Sequence, residues 1–559
     1  MEKNSSVDQK QIVWRSLIFV AVAYTFCVIF DPFFYDYSLR VLPLRQLYGC
    51  MLAAGVLYAC VRLKYVGVAL YFCLCLFSAC WFYAYKEFGY SVGFEFASAM
   101  LETNKAEIAG FINGRFLIVC LGYLVFAPLL YGMSVFCLGW SKMTRRSMLR
   151  VCVVACAWVV IYEVPPMTIG VRHGLYMKLC DETMRKDKEL LMGAGMVHAH
   201  IVYNRWRLPY SNFKALYNGI SEYYRDVKIV YAENFSSVDT RPEEPLLCVC
   251  VIGESVRGDH VPAGGYARNT MPICTAEKNV CFYSKMYSFA PVTYHSVKGI
   301  MAGLINERSA EIRTSFASIL KKHGFVNSWY AENTEKITNS RLMSSAFGYS
   351  MDENKVYRMP VRDVATAILK DAETRGKERQ LIIVENGTGH FPYMTEDKYA
   401  RFYPCNTPSE GAIDGDPSEI MMNAYDNCIV AVDAFLGELI EGMRQKNALL
   451  FYVSDHGELL GERGRFMHGA PEDEPARHVA SFIWFSDEYE RRHPELVADM
   501  KSVKDKLLVH GQIYATILRL CGIKSDVPLD IGDFVNGDVR EVEHNLPKSM
   551  NIPSRVVEN

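Results

Sequence analysis

Three short segments of this chain place carboxylates and imidazoles directly after apolar runs of strand length. Leu246–Ile252 leads into Gly253-Glu254-Ser255, and Leu449–Val453 leads into Ser454-Asp455-His456-Gly457-Glu458. Gln380–Val384 leads into a segment from Glu385 to His390. In open α/β sheets, ligands gather at the carboxyl ends of strands. Carboxylate and imidazole donors brought together there, with one position left open, suit a catalytic Zn2+. His468 follows His456 across a turn containing Gly461 and Gly464, which could fold it over the same site. Taken singly, each residue has an ordinary reading: an Asp-His pair often sits in a loop or caps a helix, and Glu254 could simply be favoured at a helix amino terminus. Their shared placement after strands is what points to a metal.

The elements that must carry these residues follow from the pattern beyond about residue 240. Apolar runs, including Ser481–Phe485, alternate with polar helical stretches near 307–323, 360–375 and 417–444. Such alternation predicts an α/β domain with a central, mostly parallel sheet.

The first third reads differently. Five stretches, near 14–31, 47–61, 66–84, 116–138 and 148–163, are apolar, against the ~20 residues a spanning helix needs. Lys3, Lys10 and Arg15 precede the first, Arg62 and Lys64 separate the second and third, and Lys142, Arg145, Arg146 and Arg150 separate the fourth and fifth. Basic loops stay cytoplasmic, so the amino terminus is expected inside and everything after the fifth span outside; Arg40 and Arg45 run against this. The first span reads as a retained anchor rather than a cleaved signal, because no small-residue cleavage site follows it before Asp31-Pro32. The expected organisation is a five-helix transmembrane domain (1–165), an amphipathic connector on the membrane surface (166–239) and an α/β catalytic domain (240–559).

The 559 residues carry a net charge of -2, which excludes a strongly basic nucleic-acid binder. Ten of the 18 cysteines precede residue 157, mostly within apolar runs, and the rest show no zinc-knuckle spacing. Cys248 and Cys250, two apart in a strand-like run, are expected to pack in the core.

The segment from Val251 to His260 (VIGESVRGDH), continued by Gly265, Tyr266, Arg268, Thr270 and Pro272, resembles the opening signature of the phosphoethanolamine transferases, membrane-anchored members of the alkaline-phosphatase and sulfatase superfamily. Ser454 to Glu462 (SDHGELLGE), then Met467-His468-Gly469 and Arg477-His478-Val479, is similar to that family's metal-binding carboxyl-terminal motif. The resemblance covers about 240 to 525 and implies an alkaline-phosphatase/sulfatase-like periplasmic domain behind an inner-membrane anchor. It also implies that Thr293, in the segment APVTYHS, is the nucleophile and a metal ligand with Glu254, Asp455 and His456 around Zn2+, one ion or two. His390, His468 and His478 are then expected at the substrate phosphate or a second metal. Glu458, Asn333 and Lys336 are expected near the ethanolamine group. Ser255 is the rival nucleophile. Two departures stand out: Phe289 and Lys298-Gly299 occupy places where the family often has a disulfide, and the sequence before His390 carries one residue more than usual.

The implied reaction moves phosphoethanolamine from phosphatidylethanolamine to lipopolysaccharide or another envelope glycan through a covalent phospho-threonine, catalysed by a monomer. The alternatives are a glycerol-phosphate transferase of the lipoteichoic acid synthase type and a sulfatase-like hydrolase. The segment from Arg257 to Pro272 argues against the first, and the lack of a Cys-x-Pro-x-Arg segment argues against the second. Arg257 and Arg268 could bind phosphate or form ion pairs, and His295 could touch substrate or pack.

Overall fold

The computed structural model describes residues 2–30, 54–88, 114–139, 216–217, 219–221, 228–303, 311–331, 351–356, 361–376, 378–391, 393, 395–405, 417–462, 466–468, 474–529 and 531–539. They form two compact units, one built mainly from residues before 223 and the other mainly from Tyr223 onward.

The first unit contains the helices α1 (Glu2–Phe30), α2 (Lys64–Phe88) and α3 (Gly114–Leu138). Lys64–Tyr83 and Gly114–Leu138 are long and apolar enough to cross a membrane, and Val13–Phe26 is a shorter apolar stretch. Residues 54–62 are helical where the second span is expected; the expected span at 148–163 lies outside the described residues. Val22, Phe26, Leu57, Tyr71, Leu130 and Tyr131 form the core of this unit. Tyr71 joins the helices, its hydroxyl donating to Ala127 O at 2.8 Å and its ring lying 5.0 Å from that of Tyr131. Ile118, Leu121, Leu124 and Leu129 stay exposed on α3. A helix that is apolar on every side is either buried in a core or spans a membrane.

The second unit is built on a seven-stranded sheet. Its strands are β1 (Leu247–Gly253), β2 (Val280–Phe282), β3 (Val326–Ala331), β4 (Glu353–Val356), β5 (Gln380–Asn386), β6 (Ala448–Ser454) and β7 (Ser481–Phe485). They lie in the order β2-β7-β6-β1-β5-β3-β4. The pairs β6-β1, β1-β5, β5-β3 and β3-β4 are parallel, whereas β7 is antiparallel to both β6 and β2. The four expected strands are all present. The three central ones, β1, β5 and β6, are buried nearly throughout, as their near-continuous apolar sequences require of a sheet covered on both faces.

The helices of this unit are α4 (Thr293–Ala302), α5 (Phe316–Lys322), α6 (Val361–Thr374) and α7 (Pro417–Met443). Residues of α6 and α7 share one core with Val249, Val251, Ile382 and Leu450. Because strand side chains alternate between faces, Cys248 and Cys250 point to the other side, and both are buried and unpaired. Cys274, Cys281, Cys405, Cys428 and Cys521 are likewise free.

The helix expected over 307–323 requires correction. Glu311–Arg313 is a strand, paired in parallel with Lys228–Val230, and the helix starts only at Phe316. Ser315 caps it, accepting from Ser318 N at 3.1 Å. A serine at this position satisfies an orphan amide of the first turn and so defines the start. Lys228–Val230 and Ser237–Asp239, in the stretch read from sequence as the connector, pair with strands of the α/β unit.

Candidate metal centre

Register brings the chemistry together. Gly253 lies opposite Ser454 on one side and opposite Asn386 on the other. The three parallel strands therefore end level, and Glu254, Asp455 and the loop to His390 emerge at one edge. Asp455 N donates to Gly253 O at 2.9 Å, extending the ladder by one residue. Ser255 has φ +62°, a left-handed conformation that costs a non-glycine residue energy and is usually held in place by its surroundings. Its amide donates to Asp455 Oδ1 at 3.1 Å, and the next amide, of Val256, donates to Ser454 Oγ at 2.7 Å.

Glu254, Asp455 and His456 are buried and form a cluster with one donor atom each within 4.8 Å of one another. His456 Nε2 stands 3.3 Å from Glu254 Oε1 and 3.3 Å from Asp455 Oδ2. Its Nδ1 lies 2.9 Å from Gly457 O; donation there leaves the Nε2 lone pair facing the carboxylates, the orientation a metal-ligating histidine takes. Burial, reinforced by Glu254, pushes Asp455 up to about 6. Burial pulls His456 down, but Asp455 and Glu254 outweigh it and lift the imidazole to about 9. Burial and mutual repulsion disfavour two adjacent carboxylates, a cost that a bound cation relieves. Asp455 Oδ2 is buried and accepts no hydrogen bond. This donor set fits a divalent metal such as Zn2+.

Thr293 is the first residue of α4. Its hydroxyl donates to Glu254 Oε1 at 3.2 Å and lies 3.2 Å from His456 Nε2. Ser255 Oγ is 3.4 Å from the same Glu254 oxygen, but Ser255 is fully buried, whereas Thr293 is only partly so. Leu459–Leu460 and Phe466–Met467 pair as an antiparallel ribbon, which turns His468 back until its ring lies 3.9 Å from that of His456. His390 stands beyond it, 6.3 Å from the His468 ring. Glu458 is buried, with Oε1 3.3 Å from His468 Nδ1, and burial lifts it to about 7 against the pull of His456 and His390.

The structure turns His478 elsewhere: its Nε2 lies 2.9 Å from Ser284 O and its ring stacks on Tyr287. Asn333 and Lys336 lie outside the described residues. Arg257 and Arg268 take the ion-pair reading, Arg257 with Asp259 and Glu462, and Arg268 with Asp426.

Several supporting residues carry no signal in the sequence. Ser288 Oγ donates to Asp455 O at 2.6 Å, and His510 Nε2 lies 3.1 Å from Ser454 O. Gly389 has no room for a side chain: a β-carbon there would lie 2.2 Å from Glu254 O. The residue before His390 must therefore be glycine, a constraint visible only when the two loops are seen against each other.

The described domain matches known proteins. Residues 247–523 match the sulfatase family. The chain is 29% identical over 312 residues to the Kdo(2)-lipid A phosphoethanolamine 7''-transferase of Salmonella typhimurium, covering 53% of this chain and 54% of that one. It is 28% identical over 321 residues to phosphatidylethanolamine transferase Mcr-1 of Escherichia coli, covering 53% and 58%. In these alignments the chain spans about half the length of the curated relatives. Among solved structures, the integral membrane lipooligosaccharide phosphoethanolamine transferase A of Neisseria meningitidis shares the fold with a TM-score of 0.64 at 18% identity, over 90% of this chain and 96% of that one. The domain that holds the cluster belongs to the sulfatase family.

Proposed function

We propose that this chain transfers phosphoethanolamine from phosphatidylethanolamine to lipopolysaccharide or a related envelope glycan. The observation that carries the reading is Thr293 Oγ1, 3.2 Å from both Glu254 Oε1 and His456 Nε2, at the mouth of a cluster suited to Zn2+. The names of the relatives support the transferred group, and the long apolar helices support a lipid donor. Glu254, Thr293, Asp455 and His456 hold the ion in this reading. A bound Zn2+ would supply positive charge at the phosphoryl oxygens and lower the threonine pKa.

The chain's own residues do the rest. Thr293 Oγ1 attacks phosphorus, the bond to the diacylglycerol oxygen breaks, and diacylglycerol leaves as the alcohol with a proton. His390 and His468 face the phosphoryl oxygens, where charge accumulates, or hold a second metal. Thr293 begins α4, so the positive end of that helix is aimed at the same oxygens. In the second step an acceptor oxygen attacks phosphorus, the threonine–phosphorus bond breaks, and Thr293 regains its proton. Confinement of a monomer to the donor's bilayer makes the encounter frequent. The chain then sits in the bacterial inner membrane with its amino terminus in the cytoplasm, five spans in residues 1–165, a surface connector between the spans and the α/β unit, and the catalytic domain in the periplasm.

The test uses the full chain in vesicles containing phosphatidylethanolamine labelled in its headgroup. Thr293→Ala is expected to lower transfer by at least about 10^3-fold, the loss typical when a nucleophile is removed. Trapped wild-type protein is expected to carry phosphoethanolamine on the peptide containing Thr293. A fully active variant, or label on Ser255, would end this reading.

A further inference from the structure

The turn that delivers Glu254 is held from three directions, and each backbone hydrogen bond in it can be followed. The amides of Ser255 and Val256 go to Asp455 and Ser454, and Val256 O accepts from Ala480 N at 3.0 Å. The two remaining groups share one partner. Tyr425, fully buried on α7, donates its hydroxyl to Ser255 O at 2.7 Å and accepts from Arg257 N at 2.9 Å. A single phenol thus bridges the carbonyl and amide on either side of Val256 and satisfies both. The ring is fixed independently, edge-on to Tyr393 at 5.2 Å and to His260 at 5.3 Å.

We propose that Tyr425 is a positioning residue for the metal: its hydroxyl locks the strained Ser255 turn and so sets the place of the Glu254 carboxylate. The proposal rests on Glu254 being a ligand, as in the reading above. It assigns to α7 a part in ion binding although Tyr425 itself touches no ligand atom.

Metal-stripped full chain in detergent is titrated with Zn2+ against a chromophoric chelator, and the melting temperature of each stripped protein is recorded. Tyr425→Phe keeps the ring and its contacts and removes only the hydroxyl. Its Zn2+ dissociation constant is expected to rise about 10- to 100-fold, the usual effect of losing a group that orients a ligand. Tyr489→Phe is the control: its buried hydroxyl also donates to a backbone carbonyl, Leu520 O at 2.6 Å, but beyond the opposite end of the sheet, past Phe485 and its partner Leu449. It is expected to lower the melting temperature comparably and leave Zn2+ affinity unchanged. The proposal is overturned if Tyr425→Phe binds Zn2+ as wild type does, or if the two variants weaken binding alike. A wild-type chain that binds no Zn2+ overturns the ligand assignment itself.

Discussion

The two ends of the central strands handle buried charge in opposite ways. At the amino ends of β1, β5 and β6, charges are matched. Arg379, just before β5, pairs with Asp239 and lies over the Phe325 ring. Glu244, just before β1, takes His493 at 2.9 Å, Arg241 at 3.8 Å and the side-chain amide of Asn447 at 2.8 Å. At the carboxyl ends, three acidic side chains (Glu254, Asp455 and Glu458) are buried together, with His456 and His468 among their neighbours. One sheet therefore has a closed end that fastens the domain and an end that concentrates negative charge for a cation. Buried carboxylates gathered without a matching base lower stability and persist where a ligand uses them.

Substitutions at the two ends should separate function from stability. The largest effect belongs to Asp455→Asn, which is isosteric and can keep the bonds from Ser255 and His456 amides. Transfer should fall by at least about 10^3-fold and bound zinc should be lost by elemental analysis. The stripped variant should melt at or above the wild-type temperature, since one of two crowded carboxylates is gone. A variant that melts earlier would break the distinction. Arg379→Met should do the reverse, costing about 3–5 kcal/mol in denaturant unfolding because it strands a buried partner, while zinc content per folded molecule stays unchanged.

The most gradual effect is a pH slope. His510 lies behind the strand end, with Nδ1 buried and making no hydrogen bond, and burial depresses it from 6.5 to about 3. The unfolded chain therefore binds a proton between those values that the folded chain does not. Stability from this group is complete above pH 6.5 and drains as pH falls toward 3, at about 1.4 kcal/mol per pH unit. His510→Gln should flatten the acid limb of a stability–pH curve by that slope; an unchanged limb would mean that His510 titrates normally.

How much of this was legible depends on sequence distance. The apolar runs at β1, β5, β6 and β7 were readable because a buried strand must be apolar, and Glu254, Asp455, His456 and His390 were readable because they follow those runs directly. Thr293 needed the family resemblance, since nothing in APVTYHS marks a helix start facing a distant carboxylate. The helix expected at 307–323 failed because periodicity ran through Thr314-Ser315, where a cap interrupts it. His478 was placed by adjacency to β7, but its ring packs on Tyr287 instead. Tyr425, Ser288 and His510 were invisible: each acts through hydrogen bonds to backbone far away in the chain.

The contact between Gly389 and the Glu254 carbonyl has a mechanical consequence. With no space for a side chain between them, the loop carrying one proposed metal ligand and the loop carrying His390 bear on each other as a hinge pin bears on its socket. Any shift of the first is handed to the second, so the spacing between the Glu254 carboxylate and the His390 imidazole is set by one hard contact rather than by two independent loops. These two loops can change only in step.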